Sequence, residues 1–134
     1  MTLLDPLLRC PEDLGFTVVD GLWLCLVGGS PPDPGRCLVT VRSVYGTYTC
    51  ISGEKRGEKC MGPLAAIVFE PLDPGTVGFI AAVSTALARR GISILAYSCY
   101  EHDYLFVPSQ YRREAVEVLE SIGCIYKGEE GRLA

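Results

Sequence analysis

Apolar positions change their spacing partway along the chain, and the second stretch is the more regular. The run LAAIVFEPL (64–72) predicts a strand. DPGTVGFIAAVSTALARRG (73–91) predicts a helix, with Asp73 as N-cap and Pro74 at the first helical position. Its apolar stripe is Phe79, Ile80, Val83, Ala86 and Leu87, Arg89 and Arg90 fall in the last turn, and Gly91 stops it. ISILAYSCY (92–100) and DYLFVP (103–108) predict two strands around a tight turn. SQYRREAVEVLESIG (109–123) predicts a second helix, capped by Ser109, burying Tyr111, Ala115, Val118, Leu119 and Ile122, and ended by Gly123. CIYK (124–127) closes the unit as a strand. The order βαββαβ predicts an α+β, ferredoxin-like sandwich for residues 63–134.

Residues 1–62 read differently. A Leu-rich arm (1–14) precedes FTVVDGLWLCLV (16–27), a strand interrupted near Asp20 and Gly21. GGSPPDPGR (28–36) is a loop, since its prolines and glycines forbid a helix. CLVTVRS (37–43) and YGTYTCIS (45–52) alternate as strands do, and GEKRGEKCMG (53–62) is a charged connection. A sheet without helices leaves one face bare, so this strand-rich half is expected to bury that face on the other half.

Composition narrows the functional classes. Nearly half the residues (49%) are hydrophobic, enough for a substantial core in 134 residues. Net charge is −4 and no run of Lys and Arg exceeds two, which argues against nucleic acid as a partner. Apolar runs are strand-length, so no membrane span is expected, and the N-terminus lacks a basic region of the secretory kind. The seven cysteines show no C-x-x-C spacing and mostly sit in apolar strands. They are expected to be reduced, buried hydrophobes in a cytoplasmic protein, without metal and without a cofactor.

Two segments carry candidate chemistry. The loop Leu72 to Gly78 leads from a strand into a helix N-terminus, where free amides and the helix dipole hold anions. A ligand carboxylate would meet the amides of Thr76, Val77 and Gly78. Gly75 and Gly78 leave room for its approach, and Asp73 would meet an ammonium group. The competing reading is a capped turn with no ligand. The second segment is Ser98 to Tyr104, where Glu101, the only His (His102) and Asp103 cluster at a hairpin. Neighbours along a strand face opposite ways, which opposes convergence on a metal or a catalytic site. A Cys99–His102 thiol enzyme is a third, weaker reading. No phosphate loop or nucleophile elbow occurs.

Residues 71–108 resemble the ACT domain of small bacterial proteins related to cytosolic arginine sensors and to aspartate kinase regulatory domains. Pro71, Leu72, Asp73 and Gly78 match one motif, Gly91 to Ile94 a second, and Ser98, Tyr100, Asp103, Tyr104 and Val107 a third. Residues 37–52 resemble the same group more weakly, as part of a degenerate ACT unit. The resemblance implies a regulatory module, not an enzyme, that senses a free amino acid or similar zwitterion at the junction of two ACT units. It implies a homodimer and an unidentified regulated protein. Asp103 would meet a basic ligand end, with Ser98 nearby. The alternative is an ACT-fold assembly protein with no ligand.

Overall fold

The computed structural model describes residues 8–100 and 102–130. Seven strands form one sheet: β1 (Gly15–Gly28), β2 (Val39–Arg42), β3 (Tyr48–Ser52), β4 (Lys59–Phe69), β5 (Leu95–Cys99), β6 (His102–Pro108) and β7 (Ile125–Glu129). Helix α1 (Phe79–Ala88) follows β4, and α2 (Arg112–Ser121) follows β6. The strand order is β2-β3-β1-β4-β6-β5, with β7 beside β1. The chain is therefore an α+β, ferredoxin-like sandwich joined to a strand-rich first half.

The junction lies at β1. Its first part runs antiparallel to β4 and parallel to β7, so that Phe16 lies opposite both Phe69 and Tyr126. A strand of the first half thus occupies the slot between the first and last strands of the second. Register shifts between Val19 and Leu22, where Gly21 takes a left-handed conformation (φ 80°). Beyond that bulge the strand stays paired with β4 and also pairs with β3 on its other edge.

Alternation along the strands builds two cores. On one side Phe16, Val18, Ala65, Ile67, Phe69, Leu105 and Val107 meet Phe79, Val83 and Leu87 of α1 and Ala115, Val118 and Leu119 of α2. On the other, Val19, Leu22, Ile51, Leu64, Ala66 and Phe106 are flanked by Leu38, Val39, Tyr97 and Tyr104. None of the helices among the described residues is long and apolar enough to cross a membrane.

Several local expectations are corrected. Helix α1 starts at Phe79, because residues 73–76 close a turn of their own. The Asp73 carboxylate accepts the Gly75 amide (2.8 Å), and the Asp73 carbonyl accepts that of Thr76 (2.9 Å). Gly78, at φ 88° and ψ −4°, then precedes the helix in a left-handed conformation. Asp73 is not the N-cap, and α1 has no side-chain cap. The helix packs with Phe79, Ala82, Val83 and Leu87 inward, which leaves Ile80 outward (41% exposed). Arg89 and Arg90 fall just past the last turn, where Arg90 pairs with Glu114 of α2 (3.4 Å). The Gly91 stop holds, with φ 71° and the Ile92 amide returning to the Leu87 carbonyl. Ser109 opens a 3-10 turn and donates to Asp20 of β1 instead of capping α2. Strand β4 begins at Lys59, so the charged connection shrinks to residues 53–58.

The cysteine expectation is overturned. Cys10–Cys124, Cys25–Cys60 and Cys37–Cys50 are disulfides, and Cys99 alone of the seven is free. Sequence neighbours do not predict these pairs, because the fold brings together residues 114, 35 and 13 positions apart. The first ties the arm to the end of α2, where the Cys10 amide also donates to the Ile122 carbonyl (2.9 Å). Residues 1–7 of that arm lie outside the described residues. Unpaired thiols were the ground for expecting a reducing compartment, and that ground falls away.

Candidate functional site

Three elements meet at one end of the sheet: the end of β4, the start of α1 and the β5–β6 hairpin. Phe79 packs edge-on against Phe69 (4.8 Å, 85°), which seats the start of α1 over the end of β4. His102 Nδ1 lies 3.4 Å from the Phe69 carbonyl and links the hairpin to the same place. Ser98 and Asp103 are register partners, and the Ser98 hydroxyl donates to Asp103 Oδ1 at 2.7 Å. Leu105 and Val107 point into the helix-side core, so strand alternation puts Asp103 and Ser98 on that side too. The loop residues Asp73, Gly75, Thr76, Val77 and Gly78 and the hairpin pair Ser98 and Asp103 therefore share one end and one side of the fold. The loop is open to solvent, with Val77 81% exposed.

The turn at Asp73 changes which amides are available. Those of Gly75 and Thr76 are spent on Asp73. The first helical amide to find a carbonyl is that of Ala82, which donates to Gly78 (2.9 Å). The amides ahead of it carry the positive end of the α1 dipole, uncovered by any capping side chain. That is an anion-holding arrangement, moved one or two residues beyond its expected position. Asp103 accepts the Ser98 hydroxyl on Oδ1.

Among the described residues of the hairpin cluster, His102 and Asp103 do not converge. Glu101 lies outside the described residues. His102 and Asp103 face opposite sides of the strand, and His102 turns its ring to Phe69. Cys99, exposed, stands opposite His102 in register. Burial pushes the Tyr104 phenol above its ordinary range, with a smaller push from Cys99. Sequence reasoning missed a groove of about 340 Å³ lined by Leu24, Leu26, Thr49, Lys59, Met61 and Tyr97. It exists because β4 starts early enough to set Met61 opposite Leu24, a register that alternation alone does not supply.

An ACT-domain family model matches residues 65–121. No curated protein matches the sequence. Among solved structures, an Agobacterium tumefaciens protein superposes with a TM-score of 0.74 at 17% identity, covering 92% of this chain and 99% of its own. A Vibrio cholerae protein of unknown function, described as a possible transport protein, gives 0.68 at 22%, covering 87% and 94%. The ligand-free regulatory subunit of Thermus thermophilus aspartate kinase gives 0.59 at 15%, covering 80% and 95%. At such identities the likeness is one of fold. Residues 65–121, which include the strand-to-helix loop and the hairpin beside it, are thus similar to the ACT-domain family.

Proposed function

We propose that the chain is a regulatory module that binds a free amino acid, or a similar small zwitterion, and acts on a partner protein. The observation that supports this most is the uncapped start of α1 beside the Ser98–Asp103 pair. The ligand carboxylate takes the amides around Val77 and Gly78, and its amine meets Asp73 or the carboxylate of Asp103. Asp103 then favours a basic side chain. The module itself is not an enzyme. Its output passes through packing or association, as fits its likeness to an aspartate kinase regulatory subunit.

Exposure of the loop makes this a half-site, and a second copy in a homodimer closes it. The exposed apolar residues Val77, Ile80 and Tyr100 border the same end, which favours association there even without a ligand. That is the second reading, an ACT-fold assembly protein. The three disulfides support a compartment in which disulfides persist over the cytoplasmic placement expected from sequence.

A thermal-shift screen against the twenty amino acids separates the two readings. Binding to the folded state alone adds about 2.7 kcal/mol at a hundredfold excess over Kd. Calorimetry on Asp103→Ala then tests the site, with a loss of roughly 1–3 kcal/mol for a basic ligand and little change for a neutral one. No shift with any amino acid leaves the assembly reading.

A further inference from the structure

Three cysteines stand in one row across adjacent strands. Cys25 of β1 is the register partner of Cys60 on β4 and of Cys50 on β3. Directly opposite residues project from the same side of a sheet, so the three sulfurs share that side. Cys50 carries Cys37 with it through their disulfide. The Cα atoms of Cys25 and Cys60 are 4.1 Å apart, the narrow kind of antiparallel pair. A strand residue turns both backbone polar groups to one neighbour. Cys25 therefore makes the wide kind of pair with Cys50, about 5.5 Å between Cα atoms, which lies within disulfide reach. The row runs across the strands, so Cys50 approaches Cys25 from the side opposite Cys60, the direction required for in-line attack on the Cys25–Cys60 bond.

The segment 53–58, with two cations and two carboxylates, covers this place. A Cβ on Gly57 would lie 3.0 Å from Cys25 Cβ, so the segment sits directly over that residue. Lys55 stacks on the ring of Trp23 (4.2 Å), two residues along β1 and on the cysteine side. Arg56 pairs with Glu54 (2.6 Å) while its buried Nε has no partner.

We propose that Cys25, Cys37, Cys50 and Cys60 form one thiol–disulfide exchange centre that responds to an external thiol. The external thiolate attacks Cys37, the more accessible sulfur of its pair, since Cys50 is 1% exposed. A mixed disulfide forms at Cys37, the Cys37–Cys50 bond breaks, and the electron pair leaves on Cys50. The Cys50 thiolate attacks Cys25, forms Cys25–Cys50 and expels Cys60, which takes a proton from water. Neither step is a net oxidation. The cross-link moves from β1–β4 to β1–β3, and the Lys59–Met61 end of β4, which lines the groove, loses its covalent tie to β1 and keeps only its ladder pairing. The centre is independent of the amino-acid site.

The test is Cys37→Ser, which leaves Cys50 unpaired without any reductant. The variant is purified without thiols, quenched with N-ethylmaleimide in acid, digested unreduced and mapped by mass spectrometry. Expected is a Cys25–Cys50 cross-link with the label on Cys60 and lost from Cys50. Cys10–Cys124 stays intact as the internal control. Label on Cys50 alone, with Cys25–Cys60 whole, overturns the proposal. If circular dichroism shows the variant unfolded, wild type is titrated with limiting dithiothreitol and mapped identically. Cys25–Cys50 appearing before Cys10–Cys124 opens supports the centre. Joint labelling of Cys37 and Cys50 with Cys25–Cys60 intact refutes it.

Discussion

Removing the Cys10–Cys124 bond should be the costliest of the three disulfide deletions. The proposed perturbation is the double variant Cys10→Ala/Cys124→Ala, which adds no unpaired thiol beyond Cys99 and keeps two buried positions apolar. In the chain-entropy account a cross-link stabilises by restricting the unfolded chain, and the effect grows with the loop it closes. A separation of 114 residues corresponds to about 4.8 kcal/mol at 25 °C. The same expression gives about 3.8 kcal/mol for Cys25–Cys60, 35 residues apart, and about 2.9 for Cys37–Cys50, 13 apart. For 134 residues the unfolding entropy near 60 °C is about 0.28 kcal/mol/K, so the first loss lowers Tm by roughly 17 °C. Urea melts of wild type and the three double-alanine variants measure the order directly. A loss below about 2 kcal/mol for Cys10→Ala/Cys124→Ala, or a larger loss for Cys37→Ala/Cys50→Ala, would refute the reasoning.

Other outcomes follow from single residues. The Glu70 carboxyl is held below its ordinary value, first by Lys127 of β7 and then by the Gly15 amide of β1. Its stabilisation is present above the unfolded pKa and lost as pH falls through the lower folded one, so the gap between wild type and Glu70→Gln should close in acid melts. Leu119→Ala, at a fully buried position of α2, should cost 2–5 kcal/mol on the scale of other buried Leu truncations, read from denaturant midpoints. Gly78→Ala forces a side chain into a left-handed conformation and should cost roughly 1–2 kcal/mol of stability while weakening amino-acid binding, checked by melting and calorimetry. Intact mass after alkylation of the denatured, unreduced protein should show one label, on Cys99.

The alternation of residues 64–127 and their glycine stops were enough to determine two helices, their order among the strands and the ferredoxin-like sandwich. Each of those elements buries one stripe whose period is local: Val83 and Leu87 in α1, Ala115, Val118 and Leu119 in α2, Leu105 and Val107 in β6. The stop signals Gly91 and Gly123 were equally local, because a positive φ is a property of one residue. Ser98 and Asp103 were singled out by resemblance, and the hairpin register makes them direct partners. What the sequence left open depended on contacts between distant segments. Asp73 has the composition of an N-cap, yet its carboxylate closes an earlier turn and Gly78 delays the helix. Strand β1 reads like any apolar strand, and only packing inserts it between β4 and β7. The disulfides follow from that insertion. Cys25 meets Cys50 and Cys60 because three strands align in register, and sequence spacing carries no record of which strands become neighbours.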